Sequence, residues 1–111
     1  MTLEVYEQKR LLLETISERT RFKIVLTLLA SQNPLSFSQL LIMLNLNPGT
    51  FKAHLDRLMR ANIIIKETVQ AKRRDQPRTF YRLTDKGLKL LEDAGLLKAR
   101  EDLQRLFIKM T

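Results

Sequence analysis

Apolar residues recur at helical spacing through most of this chain, and the breaks between runs fall at residues that cap, turn or stop a helix. Residues Leu3 to Ile16 contain no proline or glycine and carry Leu12, Leu13 and Ile16 at helix-compatible spacing, which predicts an amphipathic first helix. Ser17 reads as a break or an N-cap. From about Glu18 to Ala30, Phe22, Val25, Leu26 and Leu29 stand at i, i+3, i+4 and i+7 and predict the apolar stripe of a second helix. Asn33-Pro34 ends it, because the residue before proline avoids the α region. Ser36-Phe37-Ser38-Gln39 fits the capping box, so a third helix opens there, turns Leu40, Leu41 and Leu44 inward and stops near Asn45. Asn47 is a good N-cap and Pro48 suits the first helical position. A fourth helix therefore runs from Pro48 to about Ala61, with Phe51, Leu55 and Leu58 as its buried stripe. Asn62 accommodates the left-handed conformation that closes a helix.

The pattern then changes. Residues Ile63 to Val69 are rich in β-branched side chains and read as a strand. Thr79 to Leu83 reads as a second strand, with Thr79, Tyr81 and Leu83 on one face and Phe80 and Arg82 on the other. Between them, residues Gln70 to Arg78 are too many and too charged for a two-residue turn and read as an extended basic loop. Thr84 is the N-cap of a last helical region with Leu88, Leu91 and Gly95 on one face. Beyond Gly95, Leu96, Ala99, Leu103, Leu106 and Met110 follow in steps of 3, 4, 3 and 4, the heptad spacing of a helix that pairs with another.

Two helices joined by the short turn Asn45–Asn47 form a helix-turn-helix, and a strand–loop–strand directly after it is a wing. The expected fold class is mainly α with a small β-hairpin: a winged helix-turn-helix with additional N- and C-terminal helices. The chain divides into an N-terminal helix at 1–17, a winged helix-turn-helix unit at 18–95 and a C-terminal helix at 96–111.

Charge sharpens this picture. The 111 residues hold 20 Lys and Arg against 12 Asp and Glu, a formal charge of +8. From Lys52 to Arg82 there are nine basic residues and three acids, whereas the other 80 residues hold 11 bases and nine acids. The surplus thus sits on the fourth helix and the wing, where it favours a polyanion. Other chemistries lack their residues. With no cysteine and one histidine, no disulfide, thiol nucleophile, thiolate zinc site or His-based metal cluster is expected, and no cofactor. There is no glycine-rich phosphate loop or nucleophile–base pair, so an enzyme is not expected. No apolar run approaches a membrane span. The start Met1-Thr2-Leu3-Glu4 shows no export pattern, so a cytoplasmic protein is expected. No cluster of polar residues within an apolar run marks an effector pocket.

Leu46-Asn47-Pro48-Gly49-Thr50-Phe51-Lys52-Ala53-His54-Leu55-Asp56-Arg57-Leu58 resembles the recognition helix of bacterial and archaeal winged helix-turn-helix transcriptional regulators, in which Thr50, His54, Leu55 and Leu58 match a T-[hydrophobic]-x-x-H-L-x-x-L pattern. Ala61-Asn62-Ile63-Ile64 sits at the A-G-[LIV]-[LIV] position. Thr79 to Gly87 is similar to the Y-x-L-T-x-x-G signature that closes the wing in ArsR-, MarR- and PadR-like groups. Arg21, Ile24, Leu28 and Leu29 are similar to the R-x-x-I-L-x-x-L start of the ArsR-like domain. Gly49 stands at a position that is commonly polar or proline, and the metal-sensing clusters of some ArsR proteins have no counterpart here. The resemblance implies a DNA-binding transcriptional regulator, expected to be a repressor, and a phosphate contact from His54.

With Phe51, Leu55 and Leu58 inward, the opposite face of the fourth helix holds Gly49, Lys52, Ala53, Asp56, Arg57 and Arg60, with Thr50 and His54 on the boundary. Thr50, Lys52, Ala53 and Arg57 are candidates for the base edges of double-stranded DNA, since Lys and Arg can pair with guanine and methyl groups can meet thymine. Gly49 lets the backbone approach the groove, and Arg60 suits phosphate. Asp56 would repel phosphate and is expected to pair with Lys52 or Arg60 one turn away, or to accept from cytosine. His54 reads equally as a core-boundary residue bonded to a backbone group. In the wing, Lys72, Arg73, Arg74 and Arg78 suit a minor groove or phosphates. Leu3, Tyr6, Leu13 and Ile16, with Leu96, Ala99, Leu103, Leu106 and Met110, form the candidate interface of a homodimer; packing of these stripes on their own domain is the competing reading. Two other functions share much of the pattern: a sequence-neutral protein coating the chromosome, and a winged-helix module that binds protein.

Overall fold

Residues 2–31, 33–69 and 78–110 are described in this computed structural model, the first and the last five of them as backbone. In chain order the elements are α1 (Thr2–Ser17), α2 (Arg19–Ala30), β1 (Leu35–Ser36), α3 (Phe37–Leu44), α4 (Pro48–Arg60), β2 (Ile64–Val69), β3 (Arg78–Leu83), α5 (Asp85–Asp93) and α6 (Ala99–Met110). The boundaries follow local chemistry. Ser36 Oγ accepts the Gln39 N–H while the Gln39 side chain accepts the Ser36 N–H, a complete capping box. Asn45 closes α3 at φ 51° and Asn62 follows α4 at φ 59°, the left-handed region that asparagine tolerates. The cap of α2 differs from expectation. Glu18, not Ser17, is the N-cap, because its carboxylate reaches the Arg21 N–H at 2.8 Å.

The core lies where α2, α3, α4, the base of the hairpin and α5 converge. Ile24, Leu29, Leu40, Phe51, Leu55, Leu58, Ile63 and Leu91 are fully enclosed. Phe37 packs on Phe51 with ring centroids 4.8 Å apart, which pins α3 against α4. The expected stripe of α2 is rotated: Ile24, Val25, Leu28 and Leu29 are buried, while Phe22 and Leu26 are half-buried at its margin. Helix α2 is surrounded by α1, α4 and α6, so its buried arc is wider than one i, i+3, i+4, i+7 line.

The hairpin belongs to a three-stranded antiparallel sheet ordered β1-β3-β2. β3 pairs with β2 from Ile64 opposite Leu83 to Val69 opposite Arg78, and with the unpredicted β1 through Leu35 opposite Tyr81. Ile64 and Leu83 at the base are buried, and exposure rises toward Val69 and Arg78. The wing is thus anchored at its base and projects from the core.

The terminal helices pack on this same core. Ile16 is buried in it, so it is removed from the expected dimer surface; the inward arc of α1 runs through Leu12, Thr15 and Ile16. Leu96 and Ala99 pack on their own domain as well, and Leu103 is half-buried. Arg100 Nε donates to the Leu29 carbonyl at 3.2 Å and Gln104 Nε2 to that of Ala30 at 3.1 Å, satisfying carbonyls at the open end of α2. The helical region breaks at Gly95, where the last two segments of the chain were expected to divide. That residue stands at φ 75°, exposed, and α6 begins at Ala99. The side chains of Leu106 and Met110 lie outside the described residues.

Candidate nucleic-acid interface

Helix α4 is presented as a rigid rod. Asn47 Oδ1 accepts the N–H groups of Gly49 at 3.0 Å and Thr50 at 3.3 Å, which fixes the first turn. Phe51, Leu55 and Leu58 are anchored in the core, and the opposite face carries Gly49, Thr50, Lys52, Ala53, Arg57 and Arg60, all exposed. Arg57 and Arg60 lie in the last turn, where cations complement the helix dipole. Lys52 and Arg57 make no ion pair among the described residues, so both charges remain available to a ligand.

Asp56 departs from expectation. Neither the Lys52 nor the Arg60 pair forms among the described residues. Arg60 Nε instead approaches the Asp56 carbonyl oxygen at 3.4 Å. The half-buried Asp56 carboxylate lies near Tyr81, whose phenol is pushed up by burial and further by that negative charge. Helical spacing offers partners within the helix; a strand remote in sequence supplies the neighbour instead.

In the wing, Arg78 and Lys66 are exposed on the hairpin. Arg82 is neutralised locally, with its Nε 2.7 Å from Glu67 Oε1 across the strand pair. Arg78 and Thr79 line one cleft with Ser38 and Gln39 at the start of α3, so the root of the wing and the first helix of the pair share a surface. Lys72, Arg73 and Arg74 lie outside the described residues.

His54 is held at the edge of this face, with its side chain 17% exposed. Its Nδ1 is 3.0 Å from Arg21 Nη1 and 3.5 Å from Glu18 Oε2. Arg21 also donates through Nε to the Thr15 carbonyl oxygen at 2.5 Å. Sequence reading used Arg21 only as a family match and passed over Glu18. The available signal was position: Arg21 stands three residues before Ile24, four before Val25 and seven before Leu28, which places a charge on the buried stripe.

The winged helix-turn-helix family model matches residues 18–102, well over half of the chain. The chain is a member of the winged helix-turn-helix family. This winged helix protein has the DNA-binding domain typical of transcriptional regulators. No curated protein matches it. Among solved structures it is similar to a protein with a GntR superfamily winged-helix-turn-helix domain from Halomicrobium mukohataei, at TM-score 0.82 and 23% identity over 96% of this chain and 77% of that one. It is also similar to a transcriptional regulator homologue from Pyrococcus horikoshii, at TM-score 0.62 and 28% identity over 81% and 84%. An ArsR-like transcriptional regulator from Rhodococcus sp. RHA1 shares the fold at TM-score 0.59 and 23% identity over 99% and 94%. Among the described residues, no helix is long and apolar enough to cross a membrane and no cluster of metal-binding side chains occurs.

Proposed function

We propose that this winged helix protein is a sequence-specific regulator of transcription that binds double-stranded DNA as a homodimer and represses by occupying its operator. Residues 18–95 are its DNA-binding unit. Helix α4 enters the major groove, with Thr50, Lys52, Ala53 and Arg57 at base edges and Arg60 at phosphate; the wing lies on the minor groove or backbone. The observation that carries this reading is the face of α4. It joins two cations without described partners to small side chains, on a helix whose opposite side is locked into the core. A module that binds protein calls for a neutral or apolar face there. DNA as partner places the protein's work in the cytoplasm, beside the chromosome.

The homodimer is supported by the outward face of α1. Leu3, Tyr6 and Leu13 are 82%, 62% and 43% exposed, and Leu3, Tyr6, Arg10 and Leu13 follow in steps of 3, 4 and 3. Arg10 is paired within the helix by Glu7 and Glu14, so its charge is offset on this otherwise apolar face. The α6 stripe contributes less to it, since Leu96 and Ala99 already serve the core.

Binding to labelled duplexes, followed by anisotropy across a salt series, tests the reading. Lys52→Ala or Arg57→Ala should relax discrimination at one base position by about 1–3 kcal/mol. Arg73→Ala with Arg74→Ala should weaken binding to every duplex and lower the salt slope by about one per lost phosphate contact. Equal affinity for all sequences in the wild-type chain would assign it to the chromosome-coating class. Tyr6→Glu with Leu13→Glu should leave a folded monomer in sedimentation; an unchanged dimer would move the interface off α1.

A further inference from the structure

We propose that Arg21 is a positioning residue for DNA binding: it holds the His54 ring as the Nε2–H tautomer, so that the ring offers an N–H donor from the edge of α4 to the DNA backbone. The inference rests on the DNA-binding reading and adds to it a buried residue that never touches DNA.

Donor chemistry carries the argument. A guanidinium has only donors, and Arg21 Nη1 is 3.0 Å from His54 Nδ1. That nitrogen must therefore present its lone pair, and the ring proton sits on Nε2. A proton on Nδ1 would face the Arg21 donor across 3.0 Å. Glu18 Oε2 is the competing partner, but it stands farther away, at 3.5 Å, and already accepts the Arg21 backbone N–H at 2.8 Å. Its charge offsets that of the guanidinium, whose Nη1 is 4.0 Å away.

Arg21 is itself fixed. It is 8% exposed, and its Nε donates to the Thr15 carbonyl of α1 while Nη1 meets the ring on α4. One planar group thus spans three helices, a geometry that a lysine ammonium cannot reproduce at both ends. Among the described residues the other ring nitrogen is left to a ligand. Among the described residues His54 Nε2 has no hydrogen bond, and no buried side-chain nitrogen there lacks a partner, so Nε2 meets solvent. It sits on the helix that carries Lys52 and Arg57.

Because the chain has one histidine, its ring nitrogens can be read without ambiguity by 15N NMR in the free, full-length protein. The expected spectrum is that of the Nε2–H tautomer in the wild type, mixed tautomers in Arg21→Gln, and an intermediate state in Arg21→Lys. Affinity is then measured by anisotropy on a fluorescein-labelled mixed-sequence duplex of about three helical turns. Arg21→Gln and His54→Ala should each bind about tenfold more weakly, the double variant no more weakly than either, and Arg21→Lys should recover part of the loss. Thermal melts identify a variant that has lost its fold, and Arg21→Lys then replaces Arg21→Gln in the comparison. A wild-type ring protonated on Nδ1 overturns the proposal, as does wild-type affinity in folded Arg21 variants or full additivity with His54→Ala. A wild-type chain that binds no duplex, with the Nε2–H ring intact, overturns the DNA reading and the ring's role together while leaving the tautomer assignment standing.

Discussion

The Thr84 hydroxyl donates to the Asn62 carbonyl oxygen at 2.6 Å, joining the end of α4 to the start of α5 across the base of the wing. The Thr84 Oγ1 in turn accepts the Gly87 N–H at 2.9 Å, and the Thr84 N–H donates to the Ile63 carbonyl at 3.0 Å. One side chain therefore caps α5 and ties it to the segment that leads from the recognition helix into the hairpin. Thr84→Ala removes the cap and leaves the Asn62 carbonyl without this donor, at an expected cost of about 1–2 kcal/mol in chemical denaturation. Thr84→Ser keeps both bonds and should recover most of that stability. Equal stability of the two variants would show that the hydroxyl contributes nothing.

Gly87, three residues beyond that cap, is fixed by a neighbour at the entrance to β2. A β-carbon there would fall within van der Waals contact of the Ile63 carbonyl oxygen, a backbone atom that cannot turn aside. Alanine normally improves a helix interior by about 1 kcal/mol over glycine. Here the overlap reverses the sign, and Gly87→Ala should destabilise by about 1–3 kcal/mol and loosen the seating of the wing. Urea denaturation checks the stability, and amide exchange across residues 64–69 checks the hairpin. A stabilised Gly87→Ala protein would contradict the close approach.

These two positions show which features were legible in the sequence. Caps are local chemistry, so Ser36 with Gln39, Asn47 and Thr84 could all be read from neighbouring residues. The hairpin was legible because its β-branched run interrupts a helical pattern. Features set through space were not. β1 is two residues long and exists only because Leu35 lies against Tyr81. Asp56 has a neighbour on β3 that helix spacing could not supply. In α1 the chain carries an inward arc, with Leu12 and Ile16, and an outward one, with Tyr6 and Leu13; periodicity finds both without saying which meets the core. Arg21 was hidden because a charge on an apolar stripe has meaning only once its partners on α1 and α4 are in place.

Gly49 separates folding from recognition. Its φ is not in the left-handed region, and a β-carbon there would meet only Asn47 Oδ1 at 3.4 Å, an ordinary contact. Gly49→Ala should therefore leave the free protein as stable or up to about 1 kcal/mol more stable. If the first turn of α4 approaches the groove closely, the added methyl weakens duplex binding even though the fold is unharmed. Melting temperature and anisotropy on the same sample separate these effects. Unchanged affinity would place Gly49 outside the interface.

Glu18 makes stability depend on pH in a direction that can be stated. Partial burial pushes its carboxyl up, but the N–H groups of Thr20 and Arg21, with the nearby His54 ring and Arg21 charge, outweigh this and hold it below the usual 4.5. A carboxylate whose pKa is lower folded than unfolded binds fewer protons in the native state. Its contribution is therefore complete well above 4.5, shrinks as the pH falls through that value, and is gone below the lowered folded value. Glu18→Gln keeps an N-cap oxygen but not the charge beside Arg21 and the α2 N-terminus. At neutral pH it should be less stable than the wild type by about 0.5–1 kcal/mol. The gap should narrow steadily in melts taken from neutral to acid pH. A gap that stays constant across the carboxylate range would mean that Glu18 acts through packing rather than charge.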